Sequence, residues 1–144
     1  MEKIITYTDG GSRGNPGEAA LGVVICGEKG NILKEYGERL GIKTNNEAEY
    51  AAIVSALKRI KAMIGKEKAK KTEVEMRMDS ELAMRQLTGV YKIESEKIVP
   101  LFVAVWNLRL DFAKVSFNHV PREKNQEADK MVNEALDNEP RHLF

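Results

Sequence analysis

The sequence predicts an α/β fold, in which a five-stranded mixed sheet carries helices on both faces in the order βββαβααβα. Three observations predict it. The first forty residues hold three strand-like runs, helical spacing begins only after residue 44, and two further strand-like runs alternate with the later helical stretches. The 144-residue chain shows no internal repeat or linker, so we assign residues 1–140 to one domain and residues 141–144 to a tail.

Five runs of β-branched, aromatic and alternating residues predict the strands. They cover residues 4–8, 19–26, 31–40, 73–78 and 115–120. A Gly-Glu-Lys-Gly turn at residues 27–30 joins the second run to the third, which favours an antiparallel meander for the first three strands. The last two runs come after helical stretches, so they extend the sheet beyond the meander.

Four stretches with apolar residues at helical spacing predict the helices. The first begins at Asn45 or Asn46, either of which can cap it, and ends near residue 64. The others cover residues 79–87, 98–112 and 126–136. Pro100 must lie in the first turn of its helix, because a proline further along would break the backbone hydrogen bonding.

Composition limits the classes of function. The net charge is +1, so no general electrostatic field attracts the chain to nucleic acid or to membranes, and any such binding must be local. The single cysteine, Cys26, excludes an internal disulfide and suits a reducing compartment. With no signal peptide and no apolar stretch of membrane-spanning length, we expect a cytoplasmic protein that does not enter membranes.

The stretch YTDGGSRGNPG, residues 7–17, places an acid at the end of the first predicted strand. On the two-residue period of a strand, Asp9 shares a face with Tyr7 and Ile5, where a carboxylate is costly unless it has a partner such as a cation. The phosphate-binding loops of the Walker and dinucleotide types are absent. By itself, an acid before a glycine-rich turn is more often a hairpin feature than a catalyst.

Three further acids stand at element ends on the core side. Glu49 lies one turn before Ile53 on the apolar stripe of the first helix, Asp79 ends the fourth strand, and Asp129 borders the inward stripe of the last helix. Each acid alone also suits a cap, a turn or a solvated surface. Four acids together favour a site for Mg²⁺, which prefers oxygen ligands, and two such ions can support phosphoryl displacement.

The motifs around these acids resemble those of one family. The segments YTDGGSRGNPG, TNNEAEYAAI, MDSELAMRQLTG and NHVPREKNQEADKMVNEAL are together similar to type 1 ribonuclease H, most of all to compact archaeal and bacterial members whose second motif reads AEY. The resemblance extends from residue 3 to about residue 136, and the predicted element order agrees with a ribonuclease H-like fold. Any one motif would be weak, whereas four in the right order are specific.

The resemblance implies an endonuclease that cuts the RNA strand of RNA–DNA hybrids with two Mg²⁺ or Mn²⁺ ions and leaves 5′-phosphate and 3′-hydroxyl ends. The implied metal-binding and catalytic carboxylates are Asp9, Glu49, Asp79 and Asp129. The positions implied to contact the hybrid are Gly10, Gly11, Asn15, Thr44, Asn45 and Asn46. The resemblance implies contacts with the RNA sugars, the DNA phosphates and the minor groove of the hybrid. Phosphate contacts position the duplex without reading sequence, so we expect broad tolerance of substrate sequence.

The sequence also departs from the family pattern. Residues 89–97 are too short and too mixed in charge to form the basic handle of larger members, so hybrid affinity is expected to depend strongly on salt. Glu81 replaces an amide that contacts RNA in many relatives. For the residue that assists product release, His119 and Arg122 both remain candidates. We expect a monomer; double-stranded RNA as a second substrate, and a hybrid-binding module without catalysis, remain alternatives.

Overall fold

The computed structural model describes residues 2–138, and their strands form one five-stranded sheet. The strands are β1 (Glu2–Arg13), β2 (Gly17–Gly27), β3 (Ile32–Lys43), β4 (Thr72–Met78) and β5 (Lys114–His119), in the spatial order β3-β2-β1-β4-β5. The pairs β1–β2 and β2–β3 are antiparallel, whereas β1–β4 and β4–β5 are parallel. The predicted mixed sheet with an N-terminal meander is confirmed.

The helices fall where the apolar spacing predicted them, with one addition. They are α1 (Asn45–Ile64), α2 (Lys66–Ala69), α3 (Glu81–Leu87), α4 (Val99–Leu108) and α5 (Gln126–Asp137), and two 3-10 turns cover Arg109–Asp111 and Arg122–Lys124. Pro100 lies in the first turn of α4, as its missing N–H requires. The short α2, inside a lysine-rich segment, was not predicted.

Both faces of the sheet are covered, as predicted. On one face, α1, α3 and α4 build the main core, in which Ile53 and Leu57 pack among buried strand residues such as Val23 and Met76. On the other face, α5 packs on the meander, where Met131 joins Val24 and Cys26. The cysteine is therefore a buried apolar residue of this second core. None of the helices within residues 2–138 is long and apolar enough to cross a membrane.

Several predicted boundaries were wrong, and three of the differences have a clear physical reason. β1 continues to Arg13 because its hairpin with β2 stays paired beyond the glycines, so Asp9 lies inside a strand rather than at its end. The N-cap of α1 is Thr44, not Asn45 or Asn46, because Thr44 and Glu47 exchange the reciprocal hydrogen bonds of a capping box. Helix α4 ends at Leu108 and continues as a 3-10 turn, four residues short of the predicted end. The predicted domain limit at residue 140 and the tail lie outside the described residues.

Candidate active site

The four predicted carboxylates, which belong to four separate segments of the chain, line one cavity of about 300 Å³. Asp9 comes from β1, Glu49 from α1, Asp79 from the residue after β4, and Asp129 from α5. The other lining residues are Gly10, Gly11, Ser12, Arg13, Asn45, Arg122, Val132, Asn133 and Leu136. The fold therefore brings together residues that are up to 120 positions apart, from 9 to 129.

Strand register places Asp79 next to Asp9. Thr8 on β1 pairs with Met78 on β4 in parallel register, and this is the last pair of that ladder. Asp9 directly follows Thr8, and Asp79 directly follows Met78. Both carboxylates therefore lie at the point where the two strands separate. The sequence predicted this adjacency on the condition that the strands were parallel neighbours, and that condition is met.

Gly10 allows helix α1 to bring Glu49 to the same point. A Cβ atom on Gly10 would lie 2.2 Å from the Ala48 carbonyl carbon and 2.4 Å from the Glu49 nitrogen. Only a residue without a side chain permits this direct contact between the strand and the helix backbone. The glycine therefore sets the depth at which the first turn of α1 sits against β1.

Gly22 likewise allows helix α5 to pack directly against the sheet backbone. It pairs with Asp9 across the β1–β2 ladder, and a Cβ atom there would lie 2.2 Å from the Ala128 carbonyl oxygen. Because Ala128 precedes Asp129, the close approach of α5 brings the fourth carboxylate to the cavity. Asn133 donates from Nδ2 to the Asp129 Oδ2 atom at 3.3 Å, which orients that carboxylate along the helix.

Burial, together with crowding by like charge, raises the pKa values of two of the carboxylates. Burial, and then the nearby charges of Asp79 and Asp129, raise the pKa of Asp9 to about 8, although the Gly10 N–H donates to its Oδ1 atom at 3.0 Å. Burial also raises the pKa of Glu49 to about 7, against a lowering contribution from a hydrogen bond with Ser80. Loss of solvation is the largest cause at both groups, and the like charge of neighbouring carboxylates adds to it.

The donor set fits Mg²⁺ or Mn²⁺. All four side chains offer hard oxygen ligands, and a bound cation would offset both the burial and the like-charge repulsion that raise the pKa of Asp9. Within residues 2–138 no three acidic, histidine or cysteine side chains are gathered as tightly as in a preformed metal cluster. The carboxylates instead surround an open cavity, which suits Mg²⁺ because this ion retains several of its waters.

We expect protein stability without metal to fall as the pH rises. The folded-state pKa values of Asp9 and Glu49 are raised above their ordinary values, so the folded state binds more protons than the unfolded state between about pH 4 and pH 8. Melting temperatures measured in chelator should decrease across this window. Mg²⁺ in excess over its dissociation constant should flatten the decrease, because it binds the folded state. A melting temperature that is independent of pH in chelator would contradict this electrostatic account.

The residues predicted to contact a hybrid form a connected patch beside the cavity. The Asn45 N–H donates to Asn15 Oδ1 at 3.0 Å, and the Ser12 N–H donates to Asn45 Oδ1 at 2.9 Å. This network ties the β1–β2 turn to the beginning of α1. Thr44 caps the same helix, and the buried Oδ1 atom of Asn46 has no partner among the described residues.

The structure separates the two candidates for product release. Arg122 is exposed and lines the carboxylate cavity. His119 is the last residue of β5, paired with Met78 and exposed, and it does not line that cavity. The geometry therefore favours Arg122, while the role itself stays a prediction. Glu81, the departure from the family amide, forms an ion pair with Arg85 on its own helix at 2.7 Å.

Among the residues near the cavity that were not predicted from the sequence, three polar ones hydrogen-bond to site residues or to the backbone beside them. Ser12 and Asn133 hold other site residues through the hydrogen bonds described above, and Asn125 donates from Nδ2 to the Thr8 carbonyl oxygen at 3.0 Å. Short polar residues of these types are common in turns and helix caps, so their presence alone carries no signal. Their partners lie as far as 117 positions away in the chain, which no local pattern reveals.

The fold and this ring of acids define the ribonuclease H-like class of α/β proteins. A family model described as reverse transcriptase-like matches residues 7–135. Ribonuclease HI of Halobacterium salinarum is 40% identical over 135 residues, which cover 94% of this chain and 65% of the relative. A bifunctional protein of Mycobacterium tuberculosis is 34% identical over 94% of this chain and 36% of its own length. The chain thus spans from about a third to just under two thirds of these curated relatives.

Solved structures give the same assignment. LC11-RNase H1 in complex with an RNA/DNA hybrid superposes with a TM-score of 0.87 at 47% identity, covering 93% of this chain and 96% of that one. RNase H1 from Halobacterium salinarum superposes with a TM-score of 0.85 at 40% identity, covering 94% and 98%. The chain belongs to the type 1 ribonuclease H family, in its compact form.

Proposed function

We propose that this protein is an endoribonuclease that hydrolyses the RNA strand of RNA–DNA hybrids with divalent cations. The observation that carries the proposal is the convergence of four carboxylates from β1, α1, the end of β4 and α5 on one cavity. Family membership supports it, and one similar protein was solved in complex with an RNA/DNA hybrid. A monomeric state is part of the proposal, and so is a reducing cytoplasm, which suits a chain whose single cysteine is buried.

Asp9, Glu49, Asp79 and Asp129 would hold two Mg²⁺ or Mn²⁺ ions. When bound, such a pair of ions supplies an activated water and stabilises the leaving 3′ oxygen, which leaves 5′-phosphate and 3′-hydroxyl ends. The protein contributes the fixed positions of its ligands. Because Asp9 and Glu49 are partly shielded from water and crowded by like charge, they favour a site with cations over the same site without them.

The remaining residues bind and orient the duplex. Gly10 and Gly11 line the cavity beside the carboxylates, where the 2′-hydroxyl that distinguishes RNA from DNA can be recognised. The Asn15 side chain accepts from the Asn45 N–H, and together with the side chains of Thr44, Asn45 and Asn46 it offers polar groups to the sugar–phosphate backbone. Arg122, exposed at the edge of the cavity, provides a positive charge for the scissile phosphate region. These contacts do not read bases, so cleavage should tolerate many sequences.

The test uses end-labelled RNA–DNA hybrid, double-stranded RNA and double-stranded DNA, each incubated in Mg²⁺, in Mn²⁺ and in chelator. We expect metal-dependent cleavage of the RNA strand of the hybrid, with an end carrying a 5′-phosphate. Asp79→Asn should abolish it. Asp111→Asn is the matched control, because Asp111 is a partly exposed acid that pairs with Lys61 at 3.1 Å and does not line the cavity.

Each other outcome has a defined meaning. Cleavage of double-stranded RNA as well would keep the mechanism and widen the substrate class. Binding of the hybrid without cleavage in either metal would indicate that the protein is a hybrid-binding module rather than an enzyme. Full activity of Asp79→Asn would contradict the assignment of the site.

A further inference from the structure

Asn125 is a buried polar residue at the start of α5, close in the fold to two of the carboxylates. Its residue exposure is 1%, and its Nδ2 atom donates to the carbonyl oxygen of Thr8 at 3.0 Å. Thr8 directly precedes Asp9 in β1. The backbone carbonyl oxygen of Asn125 accepts from the N–H of Asp129 at 3.1 Å. One residue thus connects the backbone beside Asp9 to the backbone of Asp129.

Asn125 binds to β1 at Thr8, where the hydrogen-bonded ladder between β1 and β4 ends. Thr8 and Met78 are the last pair between β1 and β4, and beyond them the strands separate to present Asp9 and Asp79. The Asn125 amide donates to the backbone at this separation point. It therefore fixes α5 to the sheet one residue away from Asp9, rather than at a remote part of the helix.

The second polar atom of the Asn125 side chain, its amide oxygen, forms no hydrogen bond within the described residues. This Oδ1 atom is also buried. An unpaired buried acceptor costs about 1–3 kcal/mol, so this side chain is a poor choice for stability alone. A small apolar residue would avoid that cost, and it would also lose the bond to Thr8.

We propose that Asn125 is a positioning residue that sets the separation of Asp9 from Asp129 for the binding of divalent cations. The inference rests on the proposed function, because it concerns the same site. Groups that orient metal ligands without touching the metal commonly change metal affinity by roughly 10–100-fold when they are removed. Asn125 acts in this way through the backbone, because it holds the two ligand-bearing elements together.

The test compares Asn125→Ala with Thr72→Ala. Thr72 is also 1% exposed, and its hydroxyl donates to a backbone carbonyl, that of Lys68, at 2.8 Å. It lies at the first residue of β4, the end of the strand away from Asp79. Both variants lose one side-chain-to-backbone hydrogen bond made by a buried residue, but only one of the two bonds adjoins the carboxylates.

The first measurement is calorimetric titration of each protein with Mn²⁺, without nucleic acid. We expect Asn125→Ala to bind Mn²⁺ about tenfold more weakly than wild type, and Thr72→Ala to bind it as wild type does. The Mn²⁺ concentration for half-maximal hybrid cleavage should shift by the same factor, with the KM for the hybrid unchanged. The melting temperature of Asn125→Ala in chelator should be no lower than that of Thr72→Ala, because the variant also loses the unpaired Oδ1 atom.

Equal Mn²⁺ affinity in the two variants, with activity that follows the melting temperature, would overturn the positioning role while leaving the nuclease in place. A wild type that neither binds Mn²⁺ nor cleaves hybrid would instead overturn the proposed function, and the inference with it. Asn125→Ser is the second variant should Asn125→Ala fail to fold, because it leaves room for a water to reach the Thr8 carbonyl.

Discussion

Asp9→Asn should abolish cleavage and at the same time stabilise the protein that is free of metal. The amide keeps the shape of the side chain and can still accept from the Gly10 N–H. It removes the negative charge of one proposed metal ligand, so the metal ions would stabilise the transition state less well. A loss of several kcal/mol of this stabilisation corresponds to a cleavage rate at least about a thousandfold lower. The substitution also removes a carboxylate whose ionisation is unfavourable in the folded protein. The melting temperature of the variant should therefore be several degrees above that of wild type in chelator at pH 8.

The sign of the stability change follows from the pKa of Asp9. Burial and neighbouring acids raise the pKa of this carboxyl from its ordinary value to about 8 in the folded protein, so its ionisation opposes folding increasingly between about pH 4 and pH 8. At pH 4 the variant and the wild type should therefore have similar melting temperatures, and the difference should grow as the pH rises. Asp111→Asn, which loses an ion pair with Lys61, should show neither the gain in stability nor the loss of activity.

Two measurements check this prediction, a cleavage assay and thermal melting in chelator at pH 4, 6 and 8. Retained activity of the variant would contradict the assignment of Asp9 to the active site. A variant that is inactive but less stable than wild type at pH 8 would show that the carboxylate makes favourable contacts without metal, contrary to the repulsion described above.

Gly10→Ala should destabilise the fold by at least about 3 kcal/mol, the upper part of the range for overpacked sites. The added Cβ would lie 2.2 Å from the Ala48 carbonyl carbon, which is backbone and cannot turn aside as a flexible side chain could. Helix α1 would have to move away from β1 and take Glu49 with it. Activity should fall by at least a hundredfold even at temperatures where the variant remains folded, because a ligand is displaced.

The adjacent glycine provides a matched control. A Cβ on Gly11 would meet only a Val132 side-chain carbon at 3.8 Å, an ordinary van der Waals contact. Gly11→Ala should therefore change the free energy of unfolding by less than about 1 kcal/mol, as chemical denaturation would measure. Equal stability losses in the two variants would mean that the strand tolerates neither alanine for reasons of backbone conformation, and the close approach of α1 would not explain the effect.

Much of the fold was predictable because it depends on local patterns. The strand runs, the apolar stripe of α1 at Ile53 and Leu57, and the position of Pro100 all follow from residues close together in the chain. The four carboxylates that line the cavity were also named from the sequence, two at predicted strand ends, one on and one beside a helical stripe, and all four within the family motifs, while their catalytic role stays a prediction. Where prediction was wrong, a longer-range or reciprocal contact decided the outcome. β1 continues past Asp9 because β2 stays paired with it, and Thr44 caps α1 because Glu47 returns its hydrogen bond.

The sequence by itself determined the order of the elements, the five-stranded mixed sheet and the identity of the acids. Only the tertiary structure decided how those acids come together. The end of the β1–β4 ladder at Thr8, the backbone contacts of Gly10 and Gly22 with two helices, and the bond from Asn125 to β1 each join segments far apart in the chain. A local pattern fixes which face a side chain occupies. It carries no information on which distant backbone approaches that face, because packing between whole elements sets that distance.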